Sequence, residues 1–386
     1  MKKIKILQLA SFEGNIGDNA NHCGSRLLMR ENLQGYELDF TELEIREFFW
    51  KERKFDDSFA TLANDYDLVV IGGGNYFELW VDSSCNGTTV DIPIDLLKKI
   101  NPPIVFYALG LDPAQGVTEE RISKFKTWLD YVLDQEKYVV SVRNDGSMEA
   151  ANELLGEKYA SRMHHVPDGG FFTQVGDFFH PEIPENKTVI GLNLAGDMLD
   201  VRFNDAIDGN ISDEDFLTTL GDTLSKMLYA HPEIHLVFFC HIYKDLAFTS
   251  RFLHKMSDPL CRKRVTVAPY LHGEGSQEYI FDAYSKCDLI MGNRFHTNVC
   301  AIGLNVPTVG FVNYRQIQKL YEELNIIHRT VEVNKKGFEI KLERLILESL
   351  AEKDVIKKQY ADIRADLLNR KNAFHQVLKE WLDKVI

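Results

Sequence analysis

Apolar residues in this chain gather into short unbroken runs, not into an alternating pattern. KIKILQLA (3–10), YDLVVIGGG (66–74), PIVFYALG (103–110), KYVVSVR (137–143) and MHHVPD (163–168) predict strands covered on both faces, as in a parallel sheet. Amphipathic stretches such as 119–135 and 146–156 lie between them and predict helices. The polar, proline-bearing HPEIPENK (180–187) reads as a linker, and the alternation then restarts. Its strands are TVIGLNLA (188–195), IHLVFFCH (234–241), RVTVAP (264–269), KCDLIMGNR (286–294) and VPTVGFV (306–312). From 338 to the end, apolar residues recur at three- and four-residue spacing, which predicts helices packed on the sheets and returning to the first half. The class is therefore α/β: two tandem Rossmann-like domains, 1–180 and 187–337, with C-terminal helices at 338–386. Ligands of such folds bind beyond the carboxyl ends of the strands, so the cleft between the halves is the expected site.

A length of 386 residues suits two domains of roughly 150–200 residues each. The formal net charge of -14 argues against a nucleic-acid binder whose affinity rests on neutralising phosphates, while leaving room for a local basic cleft. Six cysteines stand far apart with no CxxC pair, and several lie inside apolar runs. They read as reduced core residues, neither a disulfide frame nor a metal site. No apolar run reaches the roughly 18 residues of a membrane span, and the N-terminus has no signal-peptide pattern. The expectation is a cytoplasmic protein.

The polar residues at the strand ends carry the chemistry. SFEGNIGDNAN (11–21) follows the first strand and holds Asn15, Asp18 and Asn19. A glycine turn before a helix usually presents N–H groups to an anion, which Asp18 would repel. Asp18 therefore either caps the helix or handles a proton. After the second strand, Gly72, Gly73 and Gly74 precede Asn75 and let a ligand approach bare backbone, or simply form a tight turn. SVRNDGS places Arg143 where the chain leaves the sheet, suited to a carboxylate, a phosphate or an internal salt bridge. VPDGGFF contributes Asp168, a helix cap or a contact to an acceptor hydroxyl. In the second half, GNRFHTNVCAIGLNVPTVGF sets Arg294 and His296 two residues apart before a small-residue helix over 297–303. In an extended segment both would point to one side, forming an anion pocket with one group that titrates near neutral pH. VNYRQIQK adds Arg315, while His241 is a weaker candidate at its own strand end.

In order and spacing, GNIGD, GGGN, SVRNDGS, VPDGGF and GNRFHTNVCAIGLNVPTVGF resemble the polysaccharide pyruvyl transferases over most of residues 5 to 325. That resemblance implies a fold like the GT-B glycosyltransferases. It also implies transfer of a pyruvyl group from phosphoenolpyruvate to two hydroxyls of one sugar, giving a cyclic ketal and phosphate. It carries over to Asp18, Arg143, Arg294 and His296, with His296, Asp18 and Arg294 as catalytic residues. Arg143, Arg315, Asn15, Asn19, Gly73, Gly74, Asn75 and Asp168 then bind substrate, with no metal and no cofactor. The implied partners are phosphoenolpyruvate and a sugar or lipid-linked glycan acceptor, the latter compatible with peripheral membrane contact. The family's lysine in a Y-x-P-K context is absent here, and Arg315 stands near its place. Two rival readings share the pattern: a glycosyltransferase using a nucleotide sugar, whose diphosphate Arg294 and Arg315 would hold, and a non-catalytic sugar or anion sensor.

Overall fold

The computed structural model describes residues 1–273 and 275–386. They form two compact units. The first comprises Met1–Glu13, Gly24–Gly169 and Asp366–Ile386; the second comprises Gly14–Cys23 and Gly170–Ala365.

The first unit holds six parallel strands: β1 (Lys2–Ala10), β2 (Tyr36–Glu44), β3 (Leu68–Gly72), β4 (Ile104–Leu109), β5 (Tyr138–Arg143) and β6 (His164–Val166). Their order is β2-β1-β3-β4-β5-β6, so the chain reverses direction across the sheet between β1 and β3. The period of two explains why the strands read as unbroken apolar runs. Leu7, Leu9, Val69, Ile71, Ile104 and Phe106 face one core, while Ile4, Ile6, Leu68, Val70, Val105 and Tyr107 face the other. Phe374, Leu378 and Leu382, four residues apart on the helix Lys353–Val385, cover the second face.

The second unit repeats the plan with β7 (Thr188–Asn193), β8 (Ile234–Phe238), β9 (Val265–Val267), β10 (Leu289–Gly292), β11 (Thr308–Val312) and β12 (Thr330–Glu332). All pair in parallel, in the order β12-β11-β10-β7-β8-β9. This is the Rossmann order with its reversal between β7 and β10. Ile16 and Ala20, one turn apart on the helix Ile16–Asn32, are fully buried among Val189, Ile280, Tyr284 and Cys300. That burial makes residues 14–23 part of this unit although they follow β1 directly in sequence.

The predicted strands appear within a few residues of their expected bounds, and β2 and β12 are additional. Both lie at sheet edges: β2 is only half-buried, and β12 is three residues long. Neither forms the apolar run of a central strand. The cysteines are all free, but only Cys240, Cys287 and Cys300 are buried; Cys85 is exposed, contrary to its reading as a core residue.

Candidate active site

In an open α/β sheet, the loops leaving the two strands that flank the reversal splay apart and leave room for a ligand. In the second unit these are the loops after β7 and β10. The helix after β10 spans Phe295–Gly303 and begins two residues earlier than the small-residue pattern suggests. Arg294 is its N-cap, in extended conformation, while His296 already lies in its first turn. The two side chains therefore do not share one side as an extended segment would require. The side chain of Asn298 holds this start by donating to the carbonyls of Gly292 (3.1 Å) and Arg294 (2.8 Å).

Arg294 turns to two aspartates. Its Nε and Nη2 donate to the two carboxylate oxygens of Asp245 at 2.6 Å each, and Nη2 also reaches Asp197 Oδ1 at 3.1 Å. The Asp245 carboxylate is fully buried and accepts the backbone N–H groups of His241 (3.0 Å) and Gly196 (3.1 Å) as well. Burial alone would raise its pKa, but Arg294 and these donors hold it below the usual carboxylate range. Burial likewise opposes the charge on Arg294, and the two aspartates more than offset it. Arg202 completes the group, with Nη2 3.5 Å from Asp197 and its guanidinium over the Tyr314 ring. The network ties the loops after β7, β8 and β10 together. Arg294→Ala would strand Asp245 as a buried, poorly paired charge and is expected to lower stability by roughly 3–5 kcal/mol. Chemical denaturation measures this; an unchanged midpoint with weakened donor binding would instead put Arg294 against the ligand.

His296 turns to the loop that opens the helix Ile16–Asn32. Its Nδ1 lies 3.6 Å from Asp18 Oδ1, within ion-pair reach, and both side chains are largely buried. Asp18 Oδ2 accepts a hydrogen bond from Asn15 Nδ2 at 2.9 Å. The capping role belongs to Asn15, whose Oδ1 accepts the Gly17 N–H at 3.1 Å. Asp18 follows within the first turn, and its carboxylate meets Asn15 and His296. Although Asp18 follows the first strand in sequence, it lies beside His296 in the second unit. The approach depends on Gly17, because a Cβ there would lie 2.6 Å from His296 Cβ and 3.0 Å from His241 Nδ1. His241 is fully buried, with Nε2 2.9 Å from the Tyr284 hydroxyl and 3.3 Å from Thr297 Oγ1. Burial lowers its pKa to about 3, so it is neutral at physiological pH. Asn19 donates its backbone N–H to Asn15 (3.3 Å) and keeps a buried Oδ1 that has no hydrogen-bond partner among the described residues. Arg315 opens the helix Arg315–Glu323 after β11.

The remaining candidates meet at the carboxyl edge of the first unit. Gly110 lacks the Cβ that would fall 2.4 Å from Asn75 Oδ1 and 3.1 Å from Arg143 Nη2, so these two side chains converge on it. Asn75 Nδ2 donates to Asp112 Oδ2 at 3.2 Å. Arg143 Nε donates to Asp145 at 2.6 Å, and its Nη1 lies 3.7 Å from the buried Asp168. Gly73 and Gly74 leave β3 at the reversal between β1 and β3, and a Cβ on Gly74 would strike the Tyr76 ring.

Sequence reasoning missed Asp197, Arg202, Asp245 and Gly17. Asp245 looks like any acidic residue in a helix's first turn. Asp197 and Arg202 lie in an irregular connection whose pairing only the fold reveals. Among the described residues, no three His, Cys, Asp or Glu side chains gather where a metal ion could be held. Nor is any helix among them long and apolar enough to cross a membrane.

The fold is shared with solved structures of low sequence identity. A glycosyltransferase from Rickettsia africae superposes with a TM-score of 0.56 at 11% identity, over 100% of this chain and 99% of that one. The S. aureus MnaA–UDP complex gives 0.52 at 10%, over 93% and 91%. The N-terminal domain of Candida albicans trehalose-6-phosphate phosphatase gives 0.53 at 10%, over 96% and 95%. The architecture is thus the two-Rossmann GT-B type: the strand pattern predicts the two Rossmann-like domains, and the resemblance implies the GT-B likeness. No curated protein matches the chain. The profile of the polysaccharide pyruvyl transferases matches residues 15–314, a span that runs from the Asn15 cap through Asp18, Arg143 and His296 to the edge of β11, and this chain is therefore a transferase belonging to that family.

Proposed function

We propose that this protein transfers the pyruvyl group of phosphoenolpyruvate to two hydroxyls of a sugar in a cell-surface glycan or its precursor, forming a cyclic ketal and releasing inorganic phosphate. The observation that carries the reading is the Asp18–His296 pair, an imidazole at the start of a helix with a carboxylate 3.6 Å from one ring nitrogen. The reaction needs a proton delivered to C3 of the donor, which leaves a cationic centre at C2. A hydroxyl attacks C2 and loses its proton, phosphate departs with the C2–O bond electrons, and the second hydroxyl attacks C2 and closes the ketal, giving its proton to the released phosphate. His296 is the group that moves a proton, and Asp18 fixes which ring nitrogen carries it. Arg294, spent on two aspartates, positions the loops that hold His296's helix and is not the principal anion ligand. The donor's carboxylate and phosphate require cations and N–H groups, which Arg315 and the first turn of the helix Phe295–Gly303 supply. In the first unit Gly73, Gly74, Asn75, Arg143 and Asp168 are assigned to substrate binding. The acceptor is a sugar or lipid-linked glycan, and the place of action is the cytoplasm.

The test is donor choice. With a glycan acceptor present, phosphoenolpyruvate should yield inorganic phosphate, whereas a panel of nucleotide sugars should yield no nucleotide. Nucleotide release would support a glycosyltransferase, and no turnover with any donor would support a sensor.

A further inference from the structure

Residues 46–54, REFFWKERK, follow β2 in the first unit and expose two adjacent aromatic side chains, Phe49 and Trp50, each 51% accessible. Single exposed apolar residues are ordinary, but an adjacent pair of large aromatics is not. The segment is firmly held. Phe48 stacks on Phe55 with ring centroids 4.2 Å apart and meets Phe59 edge-on, and these rings pack on the core. Backbone bonds from Trp50 to Arg46 (2.7 Å) and from Glu52 to Glu47 (2.8 Å) close the turn, with Lys51 in the left-handed region at φ 65°. The aromatic pair is thus presented by a fixed turn, with Phe49 edge-on to Trp80.

The charges around it select the partner. Lys51, Arg53 and Lys54 are exposed beside the rings against Glu52, in a chain whose net charge is -14. Arg53 is paired with Glu47, and Asp56 beyond Lys54 is engaged as the cap of the helix Asp57–Ala63. Among the described residues neither Lys51 nor Lys54 comes within 4 Å of a carboxylate oxygen, though Lys54 lies near enough to Asp56 to help hold its carboxyl below the usual range. The other exposed aromatic pair, Phe178 and Phe179, has Asp177 beside it and no cation within the surrounding QVGDFFHPE. Aromatic rings at headgroup depth flanked by lysines are the composition that seats a protein on an anionic lipid surface.

We propose that residues 46–54 form a docking patch for an anionic phospholipid membrane, with Phe49 and Trp50 entering the interface and Lys51 and Lys54 meeting the headgroups. The proposal stands independently of the reaction assigned above, so the two fail separately. The experiment is co-sedimentation of the full chain with vesicles of phosphatidylglycerol and phosphatidylcholine in equal parts, and with phosphatidylcholine alone. Binding is expected to the anionic vesicles only and to weaken with salt. Phe49→Ser/Trp50→Ser and Lys51→Glu/Lys54→Glu should each lower it by about tenfold or more with unchanged melting temperatures. No binding, or binding that both double variants retain, would overturn the proposal. So would an aromatic variant that abolishes self-association in sedimentation while leaving vesicle binding intact, since the patch would then join two copies of the chain.

Discussion

Replacing His296 by alanine is expected to cut turnover by about 10²–10⁴-fold, the range that a positioned acid or base contributes. The imidazole is buried, lies against Asp18 and starts a helix at the sheet's point of reversal. The neighbouring His241 is no substitute, because it is held neutral by burial and bonded to Tyr284 and Thr297. His296→Gln fills similar space with an amide that cannot serve as an acid or base and should fall as far, which separates lost chemistry from lost packing. Circular dichroism and melting curves check that both variants fold. A loss of only a few-fold in either would contradict a proton-moving role.

Asp18→Asn should also cost at least about 10²-fold in rate while leaving donor affinity intact. Because Asn15 already caps the helix, the stability cost is expected to be below about 1 kcal/mol. The asparagine keeps the shape of the side chain and removes its charge beside the His296 ring. Turnover, donor binding by calorimetry and the melting midpoint, measured on this one variant, decide the matter. Near-normal turnover would reduce Asp18 to a first-turn acidic residue that favours the helix dipole.

What was legible in the sequence follows from which interactions are local. Central strands such as β3 and β8 announce themselves because both faces are covered, whereas β2 and β12 escape because edge strands bury little. His296 and Asp18 stand out as polar residues at strand ends, but their partnership is invisible, since they stand 278 positions apart and the segment holding Asp18 follows a strand of the other unit. The same cause hid the partners of Arg294. A guanidinium beside a strand end looks like an anion site until Asp245 and Asp197 are brought to it from other loops. Charge neutralisation is a property of the fold and not of spacing.

The central claim is that a pyruvyl group moves from phosphoenolpyruvate to a sugar diol through His296. Phosphoenolpyruvate labelled with ¹³C at C2, incubated with the enzyme and a glycan acceptor, tests it most directly. The account predicts that the label appears in the acceptor as a quaternary ketal carbon by NMR, with one inorganic phosphate released per label, and that His296→Ala gives neither. Label that stays in phosphoenolpyruvate or appears in free pyruvate while the acceptor is unchanged, or a His296→Ala enzyme that still forms the ketal, would contradict it.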